Sequence, residues 1–67
     1  MPKLVFQPHH KAHNTVYSVK DAEDERIMLG SLELNSENIY EFRAGGGMIS
    51  AEMLSEIVSK LNELNVS

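Results

Sequence analysis

The residues best suited to chemistry are three histidines in a short stretch, His9-His10-Lys11-Ala12-His13. Neutral imidazoles are common metal ligands, and His10 and His13 stand three apart, close enough in a loop to share an ion. A metal site needs a third or fourth ligand and a supporting second shell. No carboxylate lies near in sequence, and Lys11 adds an opposing charge. His9, His10 and His13 are therefore expected in a solvated loop that binds no metal and is dispensable for folding; a small metal-dependent protein that uses these three histidines is the third reading, behind a protein-binding module and a nucleic-acid-associated regulator.

Other chemistries find less support. The chain has no cysteine, which excludes a disulfide framework, a thiol nucleophile and a Cys-based zinc site. No serine sits in a Gly-x-Ser-x-Gly elbow between strand and helix. Gly45-Gly46-Gly47 precedes a helical pattern, an arrangement that can capture phosphate, but it lacks both the Gly-x-Gly-x-x-Gly spacing and the Gly-Lys-Ser/Thr of a P-loop. The triplet reads as a flexible strand-to-helix connection. These absences point to a protein that is not an enzyme and uses no cofactor.

Charge narrows the partners. A net charge of −4 and pI near 5.2 oppose generic nucleic-acid binding and adsorption to an anionic membrane. Lys3, Lys11, Lys20, Arg26 and Arg43 would serve a nucleic acid only by converging on one face. Asp21, Glu23, Asp24 and Glu25 cluster, but the remaining acids are too scattered for nucleic-acid mimicry. No leader is recognisable near Met1 and no apolar run is long enough to span a bilayer, so the cytoplasm is the expected compartment.

A length of 67 residues with 42% hydrophobic content is one small domain with a thin core of Leu, Ile, Val and Met. Its segments, rather than its motifs, carry the information. Lys3–Phe6 reads as an edge strand fenced by Pro2 and Pro8, and residues 7–14 as a loop. Thr15–Val19 is β-branched and aromatic, a strand; Asp21–Glu25 is a charged turn closing a hairpin. Arg26–Leu34 reads as the longest strand, but Ile27 and Leu29 have the opposite parity to Leu32 and Leu34. Either a bulge at Gly30-Ser31 restores one inner face or both faces are covered. Asn35–Asn38 is a turn, and Ile39–Ala44 a strand with Tyr40 and Phe42 inward.

The C-terminal pattern predicts a helix over 50–65. Ser50 is a suitable N-cap, Ile49 and Leu54 occupy the positions of a hydrophobic staple, and Glu52 complements the dipole. Leu54, Ile57, Val58, Leu61 and Leu64 form an apolar stripe, expected to cover the sheet face of Tyr40 and Phe42. Glu56 and Lys60 are spaced for an ion pair, and Asn65 for a left-handed C-cap. The expected fold is α+β: an antiparallel meander of three or four strands (1–44), a Gly-rich connection (45–49) and one helix (50–65) packed on one face.

The run Ile49-Ser-Ala-Glu-Met-Leu-Ser-Glu-Ile-Val-Ser-Lys-Leu-Asn-Glu-Leu-Asn65, after an aromatic strand and a glycine turn, resembles the ending of many small phage and prophage proteins. The resemblance covers the last third of the chain and implies an accessory or inhibitory factor that binds another protein. It assigns no site residues. A thin core and an edge-like first strand predict self-association as a homodimer, with a monomer as the alternative, and Leu4, Phe6, Met28, Met48 and Met53 are the interface candidates.

Overall fold

A computed structural model describes residues 2–66. Four strands, β1 (Leu4–His10), β2 (Thr15–Asp21), β3 (Met28–Leu34) and β4 (Tyr40–Ala44), are followed by helix α1 (Ala51–Leu64). The strands form one antiparallel sheet in the order β1-β2-β3-β4, so β1 and β4 are its two edges. This is the α+β meander with a single terminal helix that the sequence predicts.

The core lies between the sheet and α1. Leu4, Val19, Leu29, Leu32 and Ile57 are buried, and Phe6, Tyr17, Tyr40, Phe42, Ile49, Met53, Leu61 and Leu64 pack around them. Tyr40 and Phe42 thus point inward as expected. Tyr40 meets Tyr17 edge-to-face, with ring centroids 5.8 Å apart, and its hydroxyl donates to the Thr15 carbonyl at 2.7 Å.

A bulge resolves the parity of β3, one residue earlier than Gly30-Ser31. Val19 pairs with Gly30 while Lys20 pairs with Met28, leaving Leu29 as the extra residue. The bulge turns Leu29 into the core on the side of Leu32, while Ile27 falls in the preceding turn and is exposed. Gly30 has its own reason to lack a side chain: an added Cβ would stand 2.6 Å from the Phe42 ring and collide with the Arg43 carbonyl oxygen. The β3–β4 turn is held by Asn35, whose side-chain oxygen accepts from the backbone N–H of Glu37 and Ile39 at 2.7 and 3.1 Å.

Three expectations about α1 need correction. Leu54 and Val58 are 48% and 54% exposed, whereas Met53 packs inward, so the buried stripe is Met53, Ile57, Leu61 and Leu64. Lys60 pairs with Glu63 at 3.5 Å and stands over the Tyr17 ring at 5.4 Å, rather than meeting Glu56. Asn65 closes the helix at φ −93°, not in the left-handed region. Ser50 does cap the N-terminus, its hydroxyl accepting from the Met53 N–H at 3.2 Å. The left-handed demand falls instead on Gly46 and Gly47, at φ +118° and +82°, which turn the chain from β4 toward the helix.

Candidate functional site

The histidine segment is mostly strand. β1 runs on through Gln7, Pro8, His9 and His10, with Pro8 opposite Tyr17 and His9 opposite Val16. Pro8 is tolerated because β1 is an edge and the missing N–H faces away from β2. Alternation sends His9 and His10 to opposite faces. His9 Nε2 meets the Ser18 hydroxyl at 2.8 Å, His10 Nδ1 meets the Thr15 hydroxyl at 3.1 Å, and His13 lies in the turn between β1 and β2. No group of three or more metal-ligating side chains converges among the described residues.

The Ser18–His9 pair has the distance of a nucleophile and its base, a juxtaposition hidden from the sequence by the loop assignment of residues 7–10. Its surroundings do not suit catalysis. Ser18 is buried in the middle of the sheet's outer face, with Gln7 and Ser31 as its register partners. Among the described residues no carboxylate hydrogen-bonds the other nitrogen of His9. The amides of the central strands are committed to the ladder, so no pair is left to hold an oxyanion. Ser31, beside it, donates to Glu33 at 2.6 Å. Around Ser18 the outer face is a hydrogen-bonded polar cluster of His9, Ser18, Ser31 and Glu33.

The five candidate contact residues separate. Leu4 is in the core at 4% exposure and has no surface to offer a partner; Phe6 and Met53 are half-buried against that core. Met28 and Met48 are exposed, Met48 at 93%. The cations do not converge either. Lys3 and Lys11 flank opposite ends of β1, Arg26 is spent on Asp24 in the β2–β3 turn, and Lys20 and Arg43 lie on strands separated by β3.

What the fold leaves unfinished is the sheet edge, and the helix treats the two edges differently. At β1 the Glu56 carboxylate accepts from the backbone N–H of Lys3 at 2.7 Å and of Leu4 at 3.0 Å. Pro8, at an outward-facing position farther along, has no N–H at all. Charge and proline together blunt this edge against a further strand. At β4 the Asn65 side chain takes the place of a neighbouring strand: its Oδ1 accepts from the Tyr40 N–H at 2.8 Å and its Nδ2 donates to the Tyr40 carbonyl at 3.1 Å.

That contact fixes the direction of every peptide group in β4. Tyr40 turns its N–H and C=O away from β3, so alternation turns those of Phe42 and Ala44 the same way. Gly45, of the opposite parity, donates to the Leu29 carbonyl at 2.9 Å, and the Ile39 carbonyl accepts from Asn35 at 2.9 Å, both toward β3. The outward groups of Phe42 and Ala44 have no partner among the described residues. Beside them runs the helix flank shared by Leu54, Val58 and Asn65, opposite the flank of Glu56. An open strand edge therefore lies alongside exposed apolar side chains. The signals were present in Leu54 and Val58, but the stripe assignment placed both in the core.

Electrostatics around the site are mild. Burial, with the neighbouring Tyr17, holds the Tyr40 hydroxyl above the usual tyrosine range, against the pull of its bond to Thr15. No buried side-chain nitrogen or oxygen among the described residues lacks a hydrogen-bond partner. No helix among the described residues is long and apolar enough to cross a membrane. Comparison with models of protein families, with curated proteins and with solved structures finds no match for this chain.

Proposed function

We propose that this chain is a non-enzymatic protein-interaction module, an accessory or inhibitory factor of the kind its C-terminal third resembles, and that it works in the cytoplasm. The observation that carries the reading is the β4 edge, where the outward peptide groups of Phe42 and Ala44 have no partner among the described residues and lie beside exposed Leu54 and Val58. Unpaired ladder groups next to apolar side chains are the two ingredients of recognition by strand addition, main-chain bonds for affinity and side-chain contacts for selectivity. The dispersed cations and the net charge of −4 favour a protein over a nucleic acid as the partner.

The test is affinity capture from native-host lysate with the wild-type chain, a Leu54→Lys/Val58→Lys variant and a Ser59→Lys control on the opposite helix flank. A protein held by the wild type and the control but lost by the double variant is the expected result. Recovery of nucleic acid alone, or capture indifferent to Leu54 and Val58, would overturn the reading.

A further inference from the structure

The β4 edge is self-complementary, and we infer that its occupant is a second copy of this chain, joined antiparallel about a two-fold axis at Phe42. The inference rests on the reading of β4 as the binding edge and names the partner for it. Phe42 presents both its N–H and its C=O outward, so two copies related by a two-fold through this residue exchange a pair of main-chain hydrogen bonds. An antiparallel seam of this kind keeps both helices on one side of a continuous sheet. It brings the two Leu54–Val58 flanks together over the paired Phe42 rings.

Charge selects this register. Glu41 and Arg43 flank Phe42 symmetrically on the outer face, and both are exposed. A two-fold at Phe42 sets each Glu41 directly opposite the other copy's Arg43. Within one chain Glu41 instead faces Glu33 across the β3–β4 ladder, a like-charge pair, and Arg43 faces Ser31. Neither Glu41 nor Arg43 has an ion pair among the described residues. The seam thus supplies each with the opposite charge that the monomer withholds. Shifting the axis to Arg43 would set two arginines against each other, which disfavours the neighbouring register. Asn65 sets the length of the seam, because its amide occupies Tyr40, the residue that would otherwise pair with Ala44 of the other copy.

Sedimentation equilibrium over the micromolar range tests the register directly. Wild type is expected to show a monomer–dimer equilibrium. Arg43→Glu and Glu41→Arg should each weaken it about tenfold or more, since either change puts like charges across both symmetric pairs. An equimolar mixture of these two variants restores opposite charges at both pairs and should form a heterodimer near wild-type affinity, as should the homodimer of the double swap. Hydrogen exchange should slow at the Phe42 amide as concentration rises. Circular dichroism of each variant separates lost association from lost folding, because both positions are exposed. A wild-type monomer throughout the range, or a dimer indifferent to the charge reversals, would overturn the inference. A monomer whose Phe42 amide is protected by a captured host protein would do the same while leaving the proposed function standing.

Discussion

Truncating Ile57 and Val58 separately to alanine tests the helical phase on which the fold rests. The two are adjacent in sequence and both apolar, yet Ile57 is 2% exposed and Val58 54%. Ile57→Ala removes three buried carbons, worth about 0.8 kcal/mol each in transfer, or roughly 2.4 kcal/mol before any cavity is counted. Adding the cavity brings the expected loss to about 3–4 kcal/mol, inside the ~2–5 kcal/mol observed for such core truncations. A chain of this length has roughly 3–10 kcal/mol of total stability, so the variant sits at or near the edge of folding. Val58→Ala should cost less than about 0.5 kcal/mol, as surface changes do, when measured where the chain is monomeric. Urea titration followed by circular dichroism gives both numbers, and at ~4–8 °C per kcal/mol the Ile57 variant should melt at least 12 °C lower. Equal losses at the two positions would refute the orientation of α1, and with it the placement of an apolar flank beside β4.

Glu56→Gln should destabilise by about 1–2 kcal/mol, because the amide that replaces one carboxylate oxygen confronts a backbone N–H of β1; faster exchange at the Leu4 amide would accompany it, and unchanged exchange would count against the clamp. Gly46→Ala should cost about 1–2 kcal/mol although a Cβ there meets nothing within 4 Å, since the cost lies in the positive φ alone; an unaltered melting temperature would show that the connection relaxes. Tyr40 binds its proton more tightly in the folded chain than in the unfolded one. Its contribution is therefore fully present below the ordinary tyrosine value of about 10 and is lost as pH rises through the higher folded value. Unfolding midpoints compared at neutral and strongly alkaline pH should fall less for Tyr40→Phe than for wild type, and an equal fall would remove Tyr40 as a source of the alkaline loss.

Much of this architecture is legible locally. Ser50 caps the helix, the Asn35–Asn38 turn bonds its own backbone, Tyr40 and Phe42 alternate inward, and the glycine triplet turns strand into helix. Each follows from interactions within a few residues, which a sequence records. The bulge in β3 was legible as a parity conflict, though its position at Leu29 depended on how β2 pairs with it. The strand character of Pro8–His10 was not legible, because a proline-histidine run becomes a strand only when β2 offers a ladder and the proline nitrogen faces outward. The candidate site was hidden for a related reason. From Met53 to Val58 the helix carries apolar residues over an arc of roughly 140°, at about 100° per residue. That arc is wider than one sheet covers, and nothing local decides which part is buried. The sheet decides it: α1 lies so that Glu56 reaches β1 and Asn65 reaches β4, leaving Leu54 and Val58 outside. Sequence alone determined that there would be a sheet, a helix and a surplus of apolar surface. Only the tertiary structure decided which edge was closed and where the surplus fell, because peptide groups and side chains far apart in the chain compete for the same partners once it is folded.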